Sequence, residues 1–229
     1  MAETLLDLLR LLSVWALPVL LAVTLHEAAH GYVARLLGDD TAARLGRVSL
    51  NPLRHVDPFG TVLLPGFLLL VGAPFVFGWA KPVPVAFHRL RDPRSGMVLV
   101  ALAGPACNLA QAVLAALAMH LTVRLPEPWL SWTGENLANA VVVNVVLATF
   151  NMLPLPPLDG GRVVTGLLPP RLAWRFGRIE RYGLLILLVL IFLVPMIARE
   201  LGHPFNPLAL VLLPAVEWLY DLVLRVTGW

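Results

Sequence analysis

Charge is what this chain has least of: Asp, Glu, Lys and Arg make up 14% of its 229 residues, against about a quarter in an ordinary soluble domain. With 59% hydrophobic residues and a mean hydropathy of +0.80, a water-soluble globular fold is excluded. Cysteine is nearly absent too. The single Cys107 rules out a disulfide framework, a CxxC redox pair and a cysteine-built zinc site, so any metal must be held by other side chains. Nor is there a basic cluster. The net charge of +3 and pI near 9.6 come from residues scattered between apolar runs, which argues against a nucleic-acid partner and reads as a topology signal. The opening MAETLLDLLR places Glu3 and Asp7 before its first basic residue, the reverse of a cleaved signal peptide, so the first apolar run is expected to stay.

What is present is apolar length. Stretches free of Asp, Glu, Lys and Arg occur at 11–26, 58–80, 95–123, 136–158, 182–198 and 201–216, most of them near the roughly 20 residues that cross a bilayer core. The expected fold is an all-α polytopic membrane protein, a single domain over 1–229, with helices at 12–37, 96–122, 135–152, 182–198 and 207–224. About five of its six apolar runs should be transmembrane helices. The run 58–80 is interrupted by Pro65, Gly66, Gly72 and Pro74 and is expected to be re-entrant or broken. Residues 41–57 are too polar to span, and the alternation of Arg44 to Leu50 predicts a short interfacial β segment.

Chemistry concentrates in two places. His26-Glu27-Ala28-Ala29-His30 puts two imidazoles at i and i+4 on one helical face, with a carboxylate beside the first. That pattern suits zinc held by neutral imidazole nitrogens, with Glu27 placed to take a proton from water. Ionisable groups inside membrane helices cost about 2.5–3.5 kcal/mol and are rare without a partner or function. A catalytic zinc usually has three protein ligands. The best third candidate is Asp159 in PLPPLDGGR, where Gly160 and Gly161 allow close approach, although Asp-Gly is also a common turn pair. His120 lies near a helix end, and His55, His88 and His203 fall in loops where a solvated histidine is the default. Asn108 and Asn144 suit interhelical hydrogen bonding. Asn151, eight residues before Asp159, could donate to an oxyanion.

These motifs resemble the site-2 protease family of intramembrane zinc metalloproteases. HEAAH in a membrane helix, AGPACN in a central helix and FNMLPLPPLDGGR later carry the likeness over roughly 12–165. The family pattern of HExxH followed by N-x-x-P-x-P-x-x-D-G is matched by His26, Glu27, His30, Asn151, Pro154, Pro156, Asp159 and Gly160. Gly104, Pro105 and Asn108 are similar to its central-helix motif, and GWAKPVPV at 78–85 looks like the short prokaryotic members that lack PDZ-like and CBS-like domains. The resemblance implies one Zn2+ per chain bound by His26, His30 and Asp159, with Glu27 as general base and Asn151 holding substrate or oxyanion. It implies membrane-protein substrates cut within or near transmembrane segments, and a place in the plasma membrane of a prokaryote.

If one metal joins the first helix to the end of helix 135–152, both must run the same way, so 58–80 cannot cross. Lys and Arg then divide 14 to 3 between the two sides, rather than 11 to 6 if it crosses. The positive-inside rule favours the steeper division and puts the site toward the cytoplasm. A strand at 44–50 could pair with an unwound substrate, with 81–84 gating entry. The rival is a non-proteolytic membrane metal-binding or transport protein, since His, Asp and Asn also line ion pathways. Such a site has no special need for Glu27.

Overall fold

In the computed structural model, which describes residues 2–71, 78–203 and 205–229, helices dominate. α1 (Ala2–Leu36) is followed by a one-turn α2 (Thr41–Arg44) and by α3 (Leu64–Leu70), which continues a wide π-type turn at Pro58–Leu63. The long α4 (Pro93–Thr122) and α5 (Trp129–Asn151) come next, then the short α6 (Asp159–Leu167) and α7 (Pro170–Gly177). α8 (Glu180–Leu188) and α9 (Val194–Glu200) are joined through a π-type turn at Val189–Leu193, just before Pro195, which has no N–H for the ladder. α10 (Pro207–Thr227) ends on Gly228 in the left-handed conformation.

Among the described residues, four helices are long and apolar enough to cross a membrane: Leu9–Leu36 within α1, α4, the α8–α9 unit and α10. α5 has 23 residues, or about 34 Å at 1.5 Å each. Its asparagines at 136, 139, 144 and 151 lower its hydropathy, and α1, α4 and α10 pack around it. Polarity is inverted relative to a soluble fold. His26, His30, Asn108, Asn144 and Asp159 are buried, whereas Leu114, Leu185, Leu210 and Trp218 are each more than 60% exposed. With the family assignment below, this makes the chain an integral membrane protein. The interior between α4, α5 and α10 is built on Ala112, Ala115, Ala116, Val141, Val145 and Val223. Side chains this small let helix backbones approach closely, which is how membrane helices associate.

Two expectations need revision or refinement. The strand at 44–50 does not form: Arg44 closes α2, residues 45–50 run as a turn and bends, and no strand exists among the described residues. A strand needs a ladder partner, and the side chain of Arg47 is spent instead on the carbonyls of Lys81 and Pro82. The run 58–80 turns back on itself. The Trp79 amide donates to the Gly60 carbonyl at 3.0 Å, and the Thr61 hydroxyl donates to the Trp79 carbonyl at 2.8 Å. Gly72 and Pro74 lie outside the described residues. At a larger scale the Arg91 amide donates to the Leu37 carbonyl at 2.9 Å, so the stretch between α1 and α4 begins and ends together.

Candidate metal centre

α1 presents His26 and His30 one turn apart, with ring centroids 4.6 Å from each other. Their Nε2 atoms are 3.0 Å apart, and each faces Asp159 Oδ2, at 3.2 and 3.3 Å. Asp159 is the first residue of α6 and is buried with both histidines. Its position depends on two glycines. A Cβ on Gly160 would lie 2.2 Å from the Met152 carbonyl oxygen, and one on Gly161 2.3 Å from Pro156 N, so the Pro-rich turn can fold back onto α6 only without side chains there.

These atoms fit zinc. Ligands at about 2.0–2.1 Å in a tetrahedral site stand about 3.3 Å from one another, and the three observed separations are 3.0, 3.2 and 3.3 Å. Asp159 Oδ2 is buried with no hydrogen-bond donor among the described residues, as befits an oxygen facing a cation. The histidines are also oriented for it. His26 Nδ1–H donates to Asn108 Oδ1 at 2.6 Å, and His30 Nδ1–H to the Val100 carbonyl at 2.7 Å, which leaves both Nε2 lone pairs turned inward. Asn108 is itself fixed, since its Nδ2 donates to Asn144 Oδ1 at 2.7 Å and to the Ala22 carbonyl at 3.3 Å. It is therefore both a link among α1, α4 and α5 and an orienter of His26.

Beneath the imidazoles lies Gly104, where a Cβ would meet His26 Cε1 and His30 Nε2 at 2.5 Å each. Pro105 removes the N–H that would bond Ala101, loosening the helix one residue from the carbonyl that His30 uses. Glu27 is half-buried and accepts a 2.8 Å hydrogen bond from the Val83 amide. That donor was not anticipated; the one hint is that Pro82 and Pro84 leave Val83 as the only N–H between them.

The remaining candidates lie elsewhere or differ in detail. Asn151 Nδ2 donates back to the Leu147 carbonyl at 3.0 Å, using one of its two hydrogens on its own helix. His120 stacks on Trp229 and bonds the Thr227 carbonyl. His55 is buried against Ser49 rather than solvated, whereas His203 and His88 are exposed, His88 in a single 3-10 turn.

Comparison with known proteins decides the family. Residues 129–194, covering α5 to the start of α9, match the model of peptidase family M50. "Putative zinc metalloprotease YwhC" of Bacillus subtilis is 39% identical over 192 residues, 82% of this chain and 84% of that protein. The chain belongs to peptidase family M50. Two proteins named "Putative zinc metalloprotease Rip2" are each 30% identical. The one from Mycobacterium tuberculosis aligns over 89% of this chain and 71% of its own length, the one from Mycolicibacterium smegmatis over 75% and 64%. No solved structure matches the chain significantly.

Proposed function

We propose that the chain is an intramembrane zinc metallopeptidase that hydrolyses peptide bonds within or near transmembrane segments of other membrane proteins. The observation that supports this best is the convergence of His26, His30 and Asp159 on one point, with Glu27 one residue from the first ligand. These three would hold one zinc per chain, which when bound supplies Lewis acidity toward the scissile carbonyl and toward water. Glu27 takes the proton of the attacking water and returns it to the leaving amine nitrogen, so no covalent intermediate is needed. The second Nδ2 hydrogen of Asn151 is available to a substrate carbonyl. An apolar groove of about 290 Å³ beside HEAAH, lined by Leu25, Ala29, Tyr32, Val48 and Cys107, suits the side chains of an apolar segment. We place the catalytic core at 12–165, with α8 to α10 on its flank within one domain, in the plasma membrane of a prokaryote with the site toward the cytoplasm.

Glu27→Gln is the decisive variant. Zinc content of the purified protein should stay at the wild-type level while hydrolysis of a quenched-fluorescent peptide with a 20-residue apolar segment falls by about 10²–10⁴-fold. Undiminished hydrolysis removes Glu27 as the base. If wild-type protein binds zinc but cuts no membrane peptide, the metal-binding or transport reading takes over.

A further inference from the structure

We propose that the Val83 amide is a positioning group for Glu27, and that Arg47 serves it by holding the strap 81–86 in register; this rests on Glu27 being the base of the proposed hydrolysis.

The sequence Lys81-Pro82-Val83-Pro84 isolates one donor. Proline has no N–H, so Val83 carries the sole backbone donor from 82 to 84, and it meets Glu27 Oε2 at 2.8 Å. Nothing else among the described residues donates a hydrogen bond to that carboxylate. The strap is pinned along its length. The Lys81 amide donates to the His55 carbonyl at 2.9 Å, Arg47 Nη2 donates to the Lys81 and Pro82 carbonyls at 2.7 and 3.4 Å, and the Ala86 amide donates to Asp39 Oδ2 at 2.6 Å. Val83 is 6% exposed, and its side chain fits against α1 because residue 31 is glycine. A Cβ on Gly31 would lie 3.1 Å from Val83 Cγ1 and 2.8 Å from Val48 Cγ2.

A segment tethered at this many points acts as fixed scaffold rather than as a moving lid. Its consequence for Glu27 is geometric. Bonding Oε2 to a fixed amide restricts the side chain to one orientation and leaves Oε1 as the proton acceptor. Reacting groups misplaced by about 1 Å can lose about a hundredfold in rate, and rigid support of this kind is what an otherwise flexible glutamate needs.

The test uses the full zinc-loaded chain in detergent. Hydrogen–deuterium exchange reads Val83 directly, because residues 82 and 84 have no amide hydrogen to confuse it. Glu27→Ala should speed exchange at Val83 by about tenfold or more, with zinc content and exchange in α4 unchanged. In Arg47→Ala, exchange at Val83 should also rise and kcat on the apolar peptide fall about ten- to hundredfold, with KM and zinc content within twofold of wild type; Arg47→Lys should recover part of the loss. Equal exchange at Val83 in wild type and Glu27→Ala overturns the contact. Faster exchange in Arg47→Ala with unchanged kcat overturns the positioning role and leaves the strap a structural anchor. Persistent activity in Glu27→Gln instead defeats the base assignment while leaving the exchange result intact.

Discussion

Gly104 shows how much of the metal centre depends on a side chain that is not there. The imidazoles of His26 and His30 occupy the space where its Cβ would stand, so Gly104→Ala must push them apart or tilt α1 away from α4. We expect zinc stoichiometry to fall well below one in that variant, measured by metal analysis, while helicity by circular dichroism is kept. Asn108→Leu removes the acceptor on His26 without touching a ligand, and should weaken zinc binding about 10- to 100-fold, the usual cost of losing such a partner. A chelator-competition titration measures it, and affinity equal to wild type would reduce Asn108 to interhelical packing. His26, Glu27 and His30 were legible because charged groups in apolar helices need a reason to be there. Asp159, in a turn where Asp-Gly is common, gained its assignment as a ligand from the family resemblance, and folding brings it to the two histidines. The Val100 carbonyl and the Val83 amide were not legible, since every residue offers the same backbone groups and only folding selects which face the site. Asn108 was half legible: an amide in an apolar helix signals a hydrogen bond, but its spacing names no partner.

Between α1 and α4 the element that matters is the connection. Asp39, just beyond α1, is fully buried, and its carboxylate accepts from the Thr41 amide and hydroxyl on one oxygen and from the Ala86 amide on the other. Burial works to raise its pKa, yet those hydrogen bonds and the charge of Arg89 outweigh it and hold the carboxyl below its usual 3.8. The sign follows: a depressed carboxylate stabilises the fold fully above its unfolded pKa, and that contribution is lost as pH falls through the lower folded value. Thermal stability should therefore drop below about pH 4 in wild type, and less steeply in Asp39→Asn, which has nothing left to protonate there. At neutral pH Asp39→Asn should cost about 1–3 kcal/mol, because an amide turns a donor toward one of the two faces that needs an acceptor. Identical pH profiles for the two proteins would remove Asp39 from this role. The same connection explains the failed strand. Alternation in 44–50 is a local pattern, whereas a ladder needs a partner, and here the neighbouring strap is bound through the Arg47 side chain instead.

At the scale of the whole molecule, the proposed metal centre and the distribution of charge argue for the same topology by independent routes. His30 lies late in α1 and Asp159 just beyond α5, so their meeting requires the two helices to end at similar depth. The Arg91–Leu37 and Trp79–Gly60 hydrogen bonds bring the intervening chain back to the end of α1 from which it left. With that arrangement, 14 of the 17 Lys and Arg residues fall on one side, which is why the proposed topology turns that side to the cytoplasm. Single cysteines introduced by Arg44→Cys, Arg91→Cys and Arg124→Cys in a Cys107→Ala background test this, since all three positions are exposed. An impermeant maleimide applied to the outside of intact cells should reach position 124 alone, and positions 44 and 91 should react only after the membrane is opened. Labelling of 44 and 91 from opposite faces would mean that 58–80 crosses, α1 and α5 would then run in opposite directions, and Asp159 could not share a metal with His26 and His30. Labelling of both from outside would invert the orientation but keep the shared face, leaving the metal centre intact and moving its chemistry to the other side of the membrane.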